Sequence, residues 1–247
     1  MREHPWHLRR ATAQHHLWYR NLMELQRVTQ GWLKEINVER PTHFLGHSSP
    51  PEVRETIARL EGLADVALRA DTEGGLDQLL DDTWPEDLLG RLQNGIETLQ
   101  AWTLRMILER LAGNEDARAA QIGALEQSTW RAGRDCAALR WKGSDATSRE
   151  DLRYLLAAFR GNPLNPARLG PPVLVERALR NELSMQLLQC PHRSTNAARL
   201  VVADTLCSLH DQWIRGFVYE LNPRVRIETS RSGSDDGRCR HRWWLPS

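Results

Sequence analysis

Lysine is nearly missing from this chain. Only Lys34 and Lys142 occur among 33 basic residues, so the cationic groups are almost all arginine. Arginine suits paired, half-buried and anion-binding positions, because its planar fork meets a carboxylate with two parallel hydrogen bonds. A biased base composition in the genome would produce the same excess. An imbalance of charge is missing too. The formal net charge of +1 leaves no global field to favour nucleic acid or an acidic membrane surface. No apolar run approaches the roughly eighteen residues a membrane-spanning helix needs. The opening MREHPWHLRR is charged and has no apolar signal segment. Cysteine is sparse, at Cys136, Cys190, Cys207 and Cys239, and in this setting the thiols are expected to be reduced and the protein cytoplasmic. There is no phosphate-cradling glycine loop and no dinucleotide fingerprint. What these absences leave is a partner of small-molecule size, with no nucleic acid and no membrane.

What is present is a chain of 247 residues with 40% hydrophobic content, enough for one large domain or two small ones. Residues 11 to 36 place Leu17, Leu22, Leu25, Val28 and Leu33 near a helical period, with Trp18 and Trp32 widening the stripe. SSPPE opens a second helix, capped by Ser49. A third starts at Thr83, with Pro85 in its first turn, and stops at Gly113. Residues 115 to 141 read as another helix, and Ser148 to Gly161 as a short one. After the proline-rich NPLNPARLGPP the period changes. VLVERALR and LSMQLLQC flank Asn181 and Glu182 as a β-hairpin, with Leu183, Met185 and Leu187 alternating. A helix capped by Ser194 or Thr195 follows, and RVRIETSR and CRHRWWL form a second hairpin around SGSDDG. The expected architecture is α+β. A helical region (1–113) of unknown role packs on a C-terminal domain (114–247) with a small antiparallel sheet covered by helices.

The reactive groups gather in the last third. Cys190 stands where a strand gives way to a helix start, a position that lowers a thiol's pKa. Cys207 and His210 are three apart on the next helix and share a face. Cys239 and His241 alternate on the last strand and point to one side of the sheet. Three readings follow. The cysteines are small buried hydrophobes, or a thiolate nucleophile works with histidine as base, or a set such as Cys₃His holds zinc. The N-terminal His15 and His16 are adjacent on a helix and cannot both face one ligand, so a haem or metal role there is the weaker reading. Most of the ten tryptophans are expected as core filler, with one or two flooring a ligand pocket.

From about residue 115 to 244 the chain resembles the L-2-amino-thiazoline-4-carboxylic acid hydrolase family. The resemblance rests on Cys190, Cys207, Gly216-Phe217, Asn222-Pro223 and CRHRWW from Cys239, in that order, with ALEQSTWRAGRDCA matching the family's central helix. Two departures stand out. The family's Asp three after the second Cys is His210 here, with Asp211 beside it, and VYEL separates Gly216-Phe217 from Asn222-Pro223. The resemblance implies a fold like the 4-vinyl reductase type and hydrolytic opening of a small cyclic amidine, thiazoline or amide-like ring. It further implies roles. Cys190 or Cys207 supplies a thiolate, and His210 or His241 moves protons. Arg240 or Arg242 holds a substrate carboxylate, and Trp213 or Trp243 forms an apolar wall. Asn222 lines the pocket, and Cys239 is structural or an alternative ligand. No cofactor is implied outright; zinc is the candidate if the cysteines ligate. Binding or sensing without catalysis, and metal-dependent tailoring chemistry, are the alternatives.

Overall fold

A computed structural model of the chain describes residues 13–35, 85–140, 150–160, 173–187, 202–231 and 239–246. They belong to two compact units, 1–100 and 101–247. The boundary falls inside the second described helix, ahead of the break at Gly113.

The first unit contains α1 (Ala13–Glu35) and the opening of α2 (Pro85–Arg110). Pro85 begins α2, where its fixed φ fits the first turn and its missing N–H has no helical partner to lose. The buried stripe of α1 is Tyr19, Leu22, Val28, Trp32 and Leu33, but two polar residues, Gln26 and Thr29, are buried with it. Thr29 is satisfied twice. Its hydroxyl donates to the Leu25 carbonyl at 2.9 Å and accepts from Gln100 Nε2 at 2.9 Å. The expected helix from Ser49 and the cap at Thr83 lie outside the described residues.

The second unit takes the rest of α2, then α3 (Glu115–Arg140), α4 (Leu152–Arg160), β1 (Val173–Ala178), β2 (Glu182–Leu187), α5 (Ala203–Leu221), β3 (Arg226–Arg231) and β4 (Cys239–Trp244). Its fold is α+β. Gly113, at φ +88°, ends the turn after α2 in a conformation that costs a residue with a Cβ. Asn114 then caps α3, its Oδ1 accepting from the Ala117 N–H at 3.0 Å. At α4 the cap is Asp151, which accepts from the Arg153 backbone N–H at 2.9 Å and also binds the Arg153 side chain. That hydrogen bond with the Arg153 guanidinium holds the Asp151 carboxyl below its ordinary value. The expected cap, Ser148, lies outside the described residues. So do Ser194 and Thr195. The described part of α5 begins at Ala203, after Val202, which offers no side-chain cap.

α3 and α5 pack along each other through two glycines. A Cβ on Gly133 would overlap the Trp213 carbonyl, and one on Gly216 would overlap the Trp130 carbonyl. Glu126 of α3 accepts from Ser208 at 3.1 Å and, two turns on, Arg134 bonds Glu220 at 2.9 Å. The two helices therefore run in the same direction. Arg134 also lies over the Trp130 ring, 5.1 Å from its centroid, and Trp130 tilts against Tyr219.

The sheet is antiparallel, with strand order β1-β2-β4-β3. The hairpin turn between β1 and β2 is Leu179–Asn181; Glu182, expected in the turn, is the first residue of β2. The last strand of the chain is thus an interior strand, hydrogen-bonded on both sides. That is why it carries tryptophan. Trp243 is fully buried, with Leu183 opposite on β2 and Ile227 opposite on β3. α4 packs against β2, and the Leu152 N–H donates to the Arg180 carbonyl at 2.9 Å.

Candidate functional site

β4 alternates strictly. Cys239, His241 and Trp243 are buried, whereas Arg240 and Arg242 are exposed. Because successive side chains leave a strand on opposite faces, one face of the sheet receives the thiol, the imidazole and the indole. His241 sits in a cross-strand row between Met185 and Thr229. The residue is 3% exposed, and its Nδ1 lies 3.2 Å from the Thr229 hydroxyl. That contact fixes the orientation of the imidazole. Thr229 was not expected as a site residue. The signal for it was in the register: it stands directly across from His241 on a strand whose inner positions are Ile227 and Thr229.

Cys207 and His210 lie on α5, three residues apart as expected, but they differ in depth: Cys207 is buried and His210 half-buried, with Asp211 beside it half-buried too. At about 100° per residue, Cys207, Ile214 and Val218 fall on the side of α5 opposite Gly216. They are buried on the side turned away from α3. Trp213 is buried and stacks on Phe217 with centroids 5.2 Å apart, beside the glycine crossing.

Asn222 is buried and ends α5. Its N–H donates to the Val218 carbonyl at 2.8 Å, and its Oδ1 accepts from the Arg224 N–H at 2.9 Å. The Asn-Pro pair is thereby the turn that sends the chain from α5 into β3.

Arg240 or Arg242 was expected at the rim of the pocket, holding a substrate carboxylate. The structure places both on the face of the sheet opposite Cys239 and His241. Arg240 binds Glu176 at 2.8 Å; Arg242 binds Glu182 at 3.2 Å and covers the Trp244 ring. Glu176 is held below the ordinary carboxylate range first by its hydrogen bond from Ser184 and then by Arg240, and Glu182 first by Arg177 and then by Arg242. These arginines are committed to a charge lattice on the exposed face. The reason is the same alternation: if Cys239 and His241 point inward, Arg240 and Arg242 cannot.

Cys190, the thiol expected to react first, lies outside the described residues. Among the described residues no three histidine, cysteine or acidic side chains gather closely enough to hold a metal, so Cys207, His210, Cys239 and His241 do not form such a set by themselves. Cys136 is buried on α3. No described helix is long and apolar enough to cross a membrane. Set against family models, curated proteins and solved structures, the chain has no match.

Proposed function

We propose that residues 101–247 carry a hydrolase-like site for a small cyclic amidine, thiazoline or amide-like metabolite. Cys207 and His241 are its central groups, and Trp213 and Trp243 its apolar walls. The observation that carries this reading is His241. An imidazole buried on an interior strand, in a row with methionine and beside tryptophan, is costly to place unless it is hydrogen-bonded. Here Thr229 bonds it at Nδ1. Buried titratable groups with a defined partner concentrate at functional sites. The order of Cys190, Cys207, Gly216-Phe217, Asn222-Pro223 and Cys239 along the chain supports the thiazoline-hydrolase reading, and a four-stranded antiparallel sheet with helices supports the 4-vinyl-reductase-like analogy.

In this reading water adds to the electron-poor ring carbon. A ring C–N or C–S bond opens, and the departing heteroatom takes the remaining proton, giving a carbamoyl-cysteine-type product without any change of oxidation state. The Thr229 contact at Nδ1 orients the imidazole of His241 for proton transfer. In the covalent variant a thiolate at Cys207, or at Cys190, adds to that carbon first, the ring C–N or C–S bond opens as its heteroatom takes a proton, and water then displaces the cysteine thiol to release the same product.

The placement of Arg240 and Arg242 favours a second reading, a non-catalytic binding or sensing domain using the same buried face. A carboxylate-bearing substrate needs a cation, and these two face away from that side. Incubating the protein with 2-amino-thiazoline-4-carboxylate and a panel of cyclic amidines separates the readings. Turnover that disappears in Cys207→Ser, with an unchanged melting temperature, fits the hydrolase. Saturable binding without turnover fits the sensor, and turnover retained in full by Cys207→Ser removes Cys207 from the site.

A further inference from the structure

The exposed face of the sheet is a lattice of opposite charges, and among the described residues it is paired on β1, β2 and β4 but not along β3. On β1, β2 and β4, Glu176 pairs with Arg240 at 2.8 Å, and Glu182 pairs with Arg177 at 2.7 Å and with Arg242 at 3.2 Å. On β3, Arg226 and Glu228 are exposed, two residues apart on the same face, and neither has an ion pair or a side-chain hydrogen bond among the described residues. The two edges of the sheet also differ in regularity. β1 carries a register shift between Val175 and Arg177, the kind of irregularity that turns an edge away from further pairing. β3 pairs with β4 without a break from Arg226 to Arg231, and its outer side meets no other described strand.

We propose that β3 is the dimerisation edge of this protein, pairing antiparallel with β3 of a second copy about a two-fold axis at Ile227, so that each Arg226 faces Glu228 of the partner subunit. Antiparallel pairing about that point sets residue 226 opposite residue 228 twice, once on each side of the axis. A short Arg-x-Glu sequence on one face is therefore complementary to itself. In that register residues 226–228 of the two strands oppose each other, so the outward N–H and C=O groups of this stretch supply a short ladder, and the two ion pairs set its register. A slip of one residue would bring Arg226 and Glu228 onto opposite faces of the partner strand and forfeit both pairs. Ile227, half-buried in the single chain, meets the partner's Ile227 on the covered side. The result is one eight-stranded sheet across the dimer, with the buried face of each unit on the same side.

Sedimentation equilibrium of the intact protein over a concentration series, with charge-exchange variants, tests this. The expected result is a monomer–dimer equilibrium. Arg226→Glu alone and Glu228→Arg alone set like charges opposite each other twice, and each should weaken self-association by roughly tenfold or more. The double variant restores complementarity and should dimerise like the parent. An equimolar mixture of the two single variants should form a heterodimer tighter than either variant with itself, because each chain then meets the opposite sign at both positions. Misfolding of a variant cannot produce that rescue. A protein that stays monomeric at every concentration overturns the proposal. So does a dimer whose affinity ignores both exchanges, since it would use another surface.

Discussion

Glycine decides how closely α3 and α5 can lie. In most helices replacing glycine by alanine is favourable, by about 0.5–1 kcal/mol, because the chain loses less freedom on folding. Gly133 and Gly216 reverse that sign, since each faces the backbone of the other helix with no room for a Cβ. Gly216→Ala and Gly133→Ala are therefore expected to lower stability by about 1–3 kcal/mol, the usual range for overpacking. Gly123, on the same α3 helix, has nothing within 4 Å of a built Cβ, and Gly123→Ala should raise stability by up to about 1 kcal/mol. Denaturant melts of the three variants check this. A stabilised Gly216→Ala protein would mean that the two helices do not cross where they are described. The closeness has a consequence for Trp213: the crossing holds its backbone against α3 while the indole stacks on Phe217.

At the scale of the element, β4 illustrates both what was legible and what was not. Its alternation was readable from CRHRWW, and so was the shared face of Cys239 and His241. The same alternation puts Arg240 and Arg242 on the opposite face. The hairpins and most helices were legible because apolar periods and turn residues are local. Thr229 as the partner of His241 was not, because it depends on the register between two strands, which a single sequence fixes only once both faces are known. Burial of Thr29 in the α1 stripe was not legible for a related reason: its hydroxyl is satisfied by Gln100 of another helix. The charge lattice beside β4 predicts an acid limb. Glu176 and Glu182 titrate below their unfolded values, so their contribution is fully present above the ordinary glutamate range and is lost as pH falls through their lowered folded values. Replacing Arg240 and Arg242 by alanine removes partners that favour the ionised form. The double variant should then show a weaker dependence of stability on pH below that range, as well as lower stability at neutral pH. Urea melts at a series of acidic pH values measure this, and an unaltered acid limb would contradict the pairing.

For the whole molecule, the order β1-β2-β4-β3 makes the chain's last strand a keystone of the sheet. Deleting residues 239–247 would leave β1–β2 as an isolated hairpin and β3 without its ladder, and two-stranded ribbons are marginal in water. Such a truncated protein should lose its β signal in circular dichroism and become open to proteolysis within 101–247. An unchanged spectrum and cleavage pattern would mean that β4 is dispensable. The same strand carries the imidazole on which the functional reading rests, so fold and proposed chemistry stand on one element. The most direct measurement is therefore the rate of ring opening of 2-amino-thiazoline-4-carboxylate by the intact protein, compared with His241→Gln and Thr229→Val at matched folded fraction. The account predicts a loss of roughly 10²–10⁴-fold for His241→Gln, the span of a general acid–base group. It predicts a smaller loss for Thr229→Val, which leaves the imidazole in place but unoriented. Equal rates for all three proteins would contradict it.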